Sequence, residues 1–160
     1  MTETTAPAPV VTPTLDNLLE WAEAEHAKQL AGKPSEWDQG HWAVDVARYN
    51  AWMGTNIPVP VDCGTACCLA GKTVAWMGGK FLVNDEDGAA SYAKMPSGEI
   101  VMVEALAEQT LGLTSAQADA LFDGDNKIEN VRYVVQQIKD GIEYPERYEG
   151  QSDEEDDYFW

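Results

Sequence analysis

The sequence predicts a small α+β domain, mostly helical, in which about five helices surround a central apolar helix near residues 65–77, beside a small antiparallel β-hairpin. Three observations lead to this fold class. Apolar residues recur at helical spacing in several segments, residues 65–77 are apolar on nearly every side, and the turn Met95-Pro-Ser-Gly-Glu99 separates two extended segments. With 160 residues, 44% of them hydrophobic, the chain is long enough for one core.

Composition divides the chain into three parts. Residues 1–13 are rich in Thr, Ala and Pro, and we expect them to be disordered. Residues 14–150 carry the apolar periodicity and should form a single globular domain. Residues 151–160 form an acidic–aromatic tail.

The first half of the domain should contain two helices before the central one. The first should be capped by Thr12 and end near Gly32, because Leu and Ala residues follow a helical stripe between these points. Residues 35–42 should form a turn that packs two tryptophans inward. The second helix should span about residues 43–53, and its side chains expected to face the core are Val44, Ala47 and Trp52.

The central helix follows an extended segment. Residues 57–61 exclude a helix because prolines stand at alternate positions. Thr65 is placed to cap the central helix, and Gly78 and Gly79 are placed to end it.

The second half should contain the hairpin and further helices. Strands are expected at residues 80–83 and 91–103, and a helix at 104–111. The sequence Thr114-x-x-Gln117 is typical of a capping box that begins another helix. A last helix should span residues 127–140, with Asn126 at its start and Gly141 at its end. Its expected buried stripe is Ile128, Val131, Val135 and Ile138.

The charge is strongly negative. The chain carries 28 acidic and 10 basic residues, for a formal net charge of −18. Such a field repels nucleic acid and anionic membranes and favours basic partners, although solubility alone also explains it. No apolar stretch approaches the ~20 residues of a membrane helix, and the N-terminus lacks the pattern of a signal peptide. We therefore expect a cytoplasmic protein that binds neither membrane nor nucleic acid.

Two segments carry a resemblance to a known family. Trp37-Asp-Gln-Gly-His-Trp42 and Cys63-Gly-Thr-Ala-Cys-Cys-Leu-Ala-Gly71, followed by Leu111-Gly-Leu-Thr-Ser-Ala-Gln-Ala118, are similar to a family of small uncharacterised proteins of (actino)bacteriophages and bacteria. The resemblance covers roughly residues 38–147 and implies an origin in a phage rather than a reaction. The motif positions are Trp37, Asp38, Gln39, Gly40, Trp42, Cys63, Gly64, Thr65, Cys67, Ala70 and Gly71.

Cysteine chemistry is the alternative that the sequence leaves open. Cys63 or Cys67 at a helix start could act as a nucleophile, and His26 or His41 could serve as its base. The same cysteines with the two histidines could also bind zinc. The competing interpretation is that Cys67 and Cys68 are small apolar core residues. We therefore predict no catalytic residue, metal or cofactor.

DNA binding by a helix-turn-helix is not expected. Residues 106–122 have the spacing of such a motif, but no Lys or Arg lies between Glu99 and Asn126.

The tail is the segment that solubility explains least. Five consecutive acids precede three aromatic residues. Charge that steers an encounter, followed by an aromatic anchor, is typical of a docking motif, although the aromatic residues could instead fold back onto the domain. The expected partner-binding residues are Asp153, Glu154, Glu155, Asp156, Asp157, Tyr158, Phe159 and Trp160.

Together these features predict a non-enzymatic phage accessory protein. We expect it to bind and modulate a host protein with a basic or nucleic-acid-handling surface, with DNA mimicry as a narrower form of this hypothesis. The alternatives are a cysteine-dependent enzyme or zinc-binding protein that uses residues 63–68, and a structural component of the virion.

Overall fold

The computed structural model describes residues 12–60 and 65–146 of the protein. Within these ranges it forms six α-helices: α1 (Leu15–Leu30), α2 (Val46–Met53), α3 (Leu69–Trp76), α4 (Val103–Leu111), α5 (Ser115–Leu121) and α6 (Ile128–Lys139). The same ranges form six short strands: β1 (Ala43–Asp45), β2 (Thr65–Ala66), β3 (Lys80–Phe81), β4 (Ala89–Ala90), β5 (Tyr92–Lys94) and β6 (Ile100–Met102). The α+β, mostly helical fold class is confirmed.

The strands form two small antiparallel sheets rather than the one predicted hairpin. One sheet has the order β3-β5-β6 and contains the expected turn at residues 95–99. The other has the order β2-β1-β4 and joins three segments distant in sequence. Strands of two or three residues carry almost no periodicity of their own, so tertiary pairing decides them.

The central apolar helix exists, but its predicted start at residue 65 is wrong. Thr65 lies in β2 and does not cap a helix, and α3 begins at Leu69 after Cys68 in extended conformation. Pairing of β2 with β1 holds the first residues of the predicted helix in a strand. The remaining helix is buried on most sides, and it packs against α1 and α4.

The second predicted helix also begins later than expected, because its first three residues form β1. Asp45 then caps α2, and its carboxylate accepts a hydrogen bond from the Arg48 amide. Val44 is buried as predicted, but in the strand. The expectation that Ala47 and Trp52 face the core is wrong: both are exposed, Trp52 to 51%.

The remaining helices begin and end close to the predicted positions. Thr14, rather than Thr12, caps α1. The capping box of Thr114 and Gln117 is confirmed at the start of α5. Lys127, not Asn126, is the N-cap residue of α6. The side-chain amide of Asn126 instead donates to the carbonyls of Ala120 and Leu121.

One main core joins the helices. The predicted stripe of α6 is buried at Ile128, Val131 and Val135, and Ile138 is half-buried against the core. Residues from α1, α3, α4 and α5 complete the cluster, together with Ala93 of β5. No helix within the described ranges has the length and apolarity needed to span a membrane.

Candidate functional site

The two family-like motifs meet in space. The segment before β1 forms a parallel bridge between Trp37 and Cys67. The Asp38 amide donates to the Cys67 carbonyl at 2.9 Å, and the Cys67 amide donates to the Glu36 carbonyl at 2.7 Å. The Cys68 amide donates to the His41 carbonyl at 2.9 Å. Residues 36–42 are therefore fixed by the backbone that leads into α3.

Small residues of α3 make this contact possible. Ala70 is fully buried, and Gly71 lies against the loop so closely that a Cβ atom there would meet the Trp42 carbonyl oxygen at 1.9 Å and the Cys67 Cβ at 2.6 Å. Trp42 itself packs edge-on against Phe122, with ring centroids 6.3 Å apart. Gly71 is thus required for close approach of the loop backbone.

Gln39 ties the same loop to the end of α5. Its Oε1 accepts a hydrogen bond from Trp37 Nε1 at 2.9 Å, and its Nε2 donates to the carbonyls of Leu121 and Asp123, both at 3.0 Å. The Gln39 side chain thus provides hydrogen-bond donors for carbonyl groups at the C-terminal end of α5, where the helix itself offers no donor. The motif residues in the described ranges are therefore framework residues that orient the Trp37 side chain.

An open cleft lies on the outer side of Trp37, with a volume of about 390 Å³. We call it the Trp37 cleft. The residues that line it are Gln29, Gly32, Lys33, Ser35, Trp37, Asp38, Gln39, Val44, Val46, Tyr49, Ile57, Pro58 and Ala66. A second cleft of about 270 Å³ shares Gln29, Trp37 and Gln39 with it and extends to His26 and the start of α6. Trp37 therefore contributes to the lining of both clefts.

Exposed apolar side chains continue the Trp37 cleft along α2 and the segment after it. Trp52 contacts the ring of Tyr49, which lines the cleft, and Met53 follows on the same helix. Ile57 lines the cleft and is still 44% exposed. Asn50 holds this segment in place, because its side chain donates to the Ile57 carbonyl and accepts from the Ile57 amide. We call Trp52, Met53, Ile57 and Val59 the apolar rim.

An acid–histidine pair borders the cleft. His41 Nδ1 lies 2.9 Å from Asp38 Oδ2, and the imidazole packs edge-on against Tyr49 at 5.1 Å between centroids. The hydrogen bond to Asp38 raises the pKa of His41 above its ordinary value of 6.5; burial opposes this, and the charges of Asp38 and Asp87 add to it. Within the described ranges Asp38 is the one hydrogen-bond partner of the His41 imidazole. The pair fixes the orientation of the His41 ring within the loop.

Asp38→Asn is expected to lower the pKa of His41, because the variant removes the charge but keeps an oxygen for the Gly40 amide. A raised folded-state pKa stabilises the protein at pH values below the unfolded-state value near 6.5, and this contribution is lost as the pH rises through the folded-state pKa. An NMR titration of the His41 ring measures the shift. Asp140→Asn serves as the control, and an equal shift there would contradict the assignment.

The described cysteines do not form a reactive site. Cys67 and Cys68 are buried, and desolvation raises the pKa of Cys68 to about 12. A thiol with such a pKa is protonated at neutral pH and is a poor nucleophile. No group of three potential metal ligands occurs among residues 12–60 and 65–146. Cys63 and Gly64 lie outside the described residues, as do all eight tail residues predicted to bind a partner.

A charged cluster that the sequence did not reveal supports the loop from the side of α1. Buried Glu25 accepts hydrogen bonds from the Glu36 amide at 2.6 Å and from Lys28 at 2.7 Å. Lys72 of α3 pairs with Glu36 at 3.0 Å and lies over the rings of Trp21 and Trp76, 5.2 and 5.8 Å from their centroids. Only the Lys28–Glu25 pair is local; the contacts of Glu36 with Glu25 and with Lys72 join residues 11 and 36 positions apart, so no short sequence pattern predicts them.

The sequence interpretation also missed Tyr49, Ile57 and Pro58 as lining residues of the Trp37 cleft. The available signal was the apolar character of residues 57–60 beside an aromatic helix, which was interpreted only as extended backbone. No protein-family model matches the chain, and comparisons with curated proteins and with solved structures gave no significant match. The family resemblance therefore stays a prediction.

Proposed function

We propose that the protein is a non-catalytic binding protein whose Trp37 cleft and apolar rim take a short basic segment of a partner protein. The observation that carries the proposal is an aromatic-lined cleft of about 390 Å³ with exposed Ile57 in its lining and exposed Trp52 against its Tyr49, in a chain of net charge −18. Exposed apolar surface of this kind, bordered by polar residues, is typical of interaction sites.

The lining of the cleft fits one or two apolar side chains of a partner. Trp37 and Tyr49 provide ring surfaces, and Val44, Val46 and Ile57 complete an apolar wall. Large aromatic residues in a desolvated pocket contribute most of the binding energy of many interfaces. Trp52 and Met53 extend this surface beyond the cleft, where they can cover the chain on either side of an inserted side chain.

Charge favours a basic partner. The whole chain carries 28 acids against 10 bases, while beside the cleft Asp38 is already paired with His41 and Asp45 with Arg48. A field of this sign accelerates encounters with basic proteins and slows encounters with anionic surfaces. Part of the negative charge is used within the domain, since Glu23, Glu36 and Asp16 form ion pairs with bases on other elements. DNA mimicry is not needed to explain it and stays a hypothesis from the sequence.

The biological setting follows from the family resemblance. A phage accessory protein that acts in the host cytoplasm would bind a basic or nucleic-acid-handling host protein through this surface. The burial of Cys67 and Cys68 supports a binding role over a cysteine-dependent enzyme or zinc protein. A role in the virion stays the third alternative from the sequence, and no contact in the described ranges favours it.

Selection from a random peptide library tests the proposed function. We expect the full-length protein to enrich peptides that combine Lys or Arg with an aromatic or large aliphatic residue. Ile57→Ser should weaken their binding about tenfold, which corresponds to ~1.4 kcal/mol, because it removes apolar area from the cleft.

Ile142→Ser is the matched control, since Ile142 is 40% exposed and lies outside the cleft and rim. Peptides that bind wild type and Ile57→Ser equally, or that carry no positive charge, would overturn the proposal. Added salt should slow association with the wild type more than it speeds dissociation, as expected for electrostatic steering.

A further inference from the structure

The outer surface of the β3-β5-β6 sheet is exposed and combines apolar with basic side chains. Its inner side chains, Phe81, Ala93 and Val101, pack against the core. The outer side chains are all exposed; we call them the sheet face, and they are Lys80, Leu82, Tyr92, Lys94, Ile100 and Met102. This surface is distinct from the Trp37 cleft, because none of its residues lines that cleft.

Strand register arranges the sheet face in two rows. Lys80 pairs with Lys94, which pairs with Ile100. Tyr92 pairs with Met102, and the Leu82 amide donates to the Tyr92 carbonyl, which adds Leu82 to the second row. The four apolar side chains are 45–60% exposed. Side chains directly opposite one another on paired strands lie about 5 Å apart, so the apolar ones form a continuous patch.

The two lysines create an unfavourable contact that an acidic segment would relieve. Like charges on directly opposite residues of a sheet destabilise it. Most other bases of the described residues are paired with acids, as in the bridges of Lys72, Arg132 and Lys139, and exposed Lys33 is an exception. Among the described residues, no carboxylate forms an ion pair with Lys80 or Lys94. Because the chain has 28 acids, two neighbouring lysines that pair with none of the described carboxylates indicate a surface that binds an acidic segment.

We propose that the sheet face is the binding site of the chain's own acidic–aromatic tail. Residues 153–157 supply five acids for the two lysines, and residues 158–160 supply three aromatic side chains for the apolar row. In the tail a run of acids is followed by a run of aromatic residues, and on the sheet face one row holds both lysines while the other row is entirely apolar. Burial of the aromatic residues on Leu82, Tyr92, Ile100 and Met102 removes apolar area from water on both sides.

The described chain ends seven residues before the first acid of the tail run. Glu146, the last described residue, is held to α6 by hydrogen bonds with the Gln137 side chain in both directions, each 2.8 Å long. The seven residues from Glu146 to Asp153 extend to at most about 25 Å. This reach exceeds the length of α4, the helix that directly follows β6, whose nine residues span about 14 Å.

A second copy of the same face is a poorer occupant. Two sheet faces packed together by two-fold symmetry would bring four lysines into one interface with no acid between them. The acidic tail of a neighbouring molecule has the right chemistry, and the experiment distinguishes it from the tail of the same chain.

Zero-length crosslinking with a carbodiimide tests the proposal on the full-length protein, because the reagent joins a lysine amine only to a carboxylate in direct contact. We expect Asp153–Asp157 to be joined to Lys80 or Lys94 about tenfold more often than to Lys33. Lys33 is the matched control, since it is exposed and no ion pair is formed with it among the described residues. An equal mixture of labelled and unlabelled protein separates contacts within one chain from contacts between chains.

A second measurement follows the Trp160 indole N–H by NMR. In the Lys80→Glu, Lys94→Glu double variant we expect this resonance to move to its position in a free synthetic peptide of residues 151–160. Lys33→Glu should leave it unchanged. Amide signals of Tyr92, Ile100 and Met102 should shift when Tyr158, Phe159 and Trp160 are replaced by serine.

Three outcomes would overturn the proposal. They are tail crosslinks spread evenly over the lysines, crosslinked pairs of which about half join a labelled to an unlabelled chain, and a Trp160 resonance that already matches the free peptide in the wild type. The last result would favour the tail as an anchor for a partner protein. None of these outcomes depends on the Trp37 cleft, and Ile57→Ser should leave all tail signals unchanged.

Discussion

Gly71→Ala is expected to destabilise the domain by about 3 kcal/mol or more, although alanine is the better helix former. Gly71 lies within α3, where propensity alone would favour alanine by ~1 kcal/mol. The added Cβ would meet the Trp42 carbonyl oxygen at 1.9 Å, a backbone atom that cannot rotate away. The loop must therefore move off α3, which breaks the hydrogen bond from the Cys68 amide to the His41 carbonyl.

Thermal or urea unfolding measures this effect, and a loss of 3 kcal/mol corresponds to a decrease in Tm of roughly 6–12 °C for a domain of this size. Gly124→Ala is the control, because its new Cβ would meet neighbouring atoms at 3.5 Å or more, an ordinary contact distance. If the Gly71 variant were as stable as the Gly124 variant, the close packing of the loop on α3 would be contradicted.

Trp37→Ala is expected to destabilise the protein by about 3–5 kcal/mol and to abolish selection of peptides by the Trp37 cleft. The side chain is 7% exposed, its Nε1 donates to Gln39, and its ring packs edge-on against His26. Removing it leaves a cavity and takes away a side chain that lines both clefts. Gln39 also loses the donor that orients it toward the carbonyls of Leu121 and Asp123.

Two further substitutions make the second prediction specific. Trp37→Phe keeps an aromatic surface but removes the Nε1 donor, so a smaller loss of about 1 kcal/mol is expected. Trp52→Ala should change the free energy of unfolding by no more than about 0.5 kcal/mol, because that side chain is 51% exposed, yet it should weaken peptide binding. Equal destabilisation by Trp37→Ala and Trp52→Ala would contradict the distinction between framework and rim.

Several elements could be predicted because their signals are local. The capping box at Thr114 and Gln117 satisfies amides within three residues, and the apolar stripe of α6 repeats at the helical period. The turn at residues 95–99 joins two strands that are neighbours in sequence, so its register follows from the turn itself.

The errors occurred where distant segments compete with local propensity. Residues 43–45 and 65–66 are compatible with a helix, but each completes its backbone hydrogen bonds in the other's strand. Trp52 was expected on the inner face of a helix that starts at residue 43; since residues 43–45 form β1 instead, the buried side chains of that region are Ala43, Val44 and Val46. Trp37 packs inward as predicted, but the residues that line the clefts beside it come from distant segments, including the start of α6 and residues 57–58.

The sequence by itself determined the net charge of −18, the apolar character of α3, the periodicity of the helices and the acidic–aromatic composition of residues 151–160. These properties follow from residue types and short spacings. Only the tertiary structure decided which side chains remain exposed together. The apolar rim, the Trp37 cleft and the sheet face each combine residues brought together by strand pairing or loop contacts over many positions. Exposure is a property of what packs nearby, and no local pattern contains it.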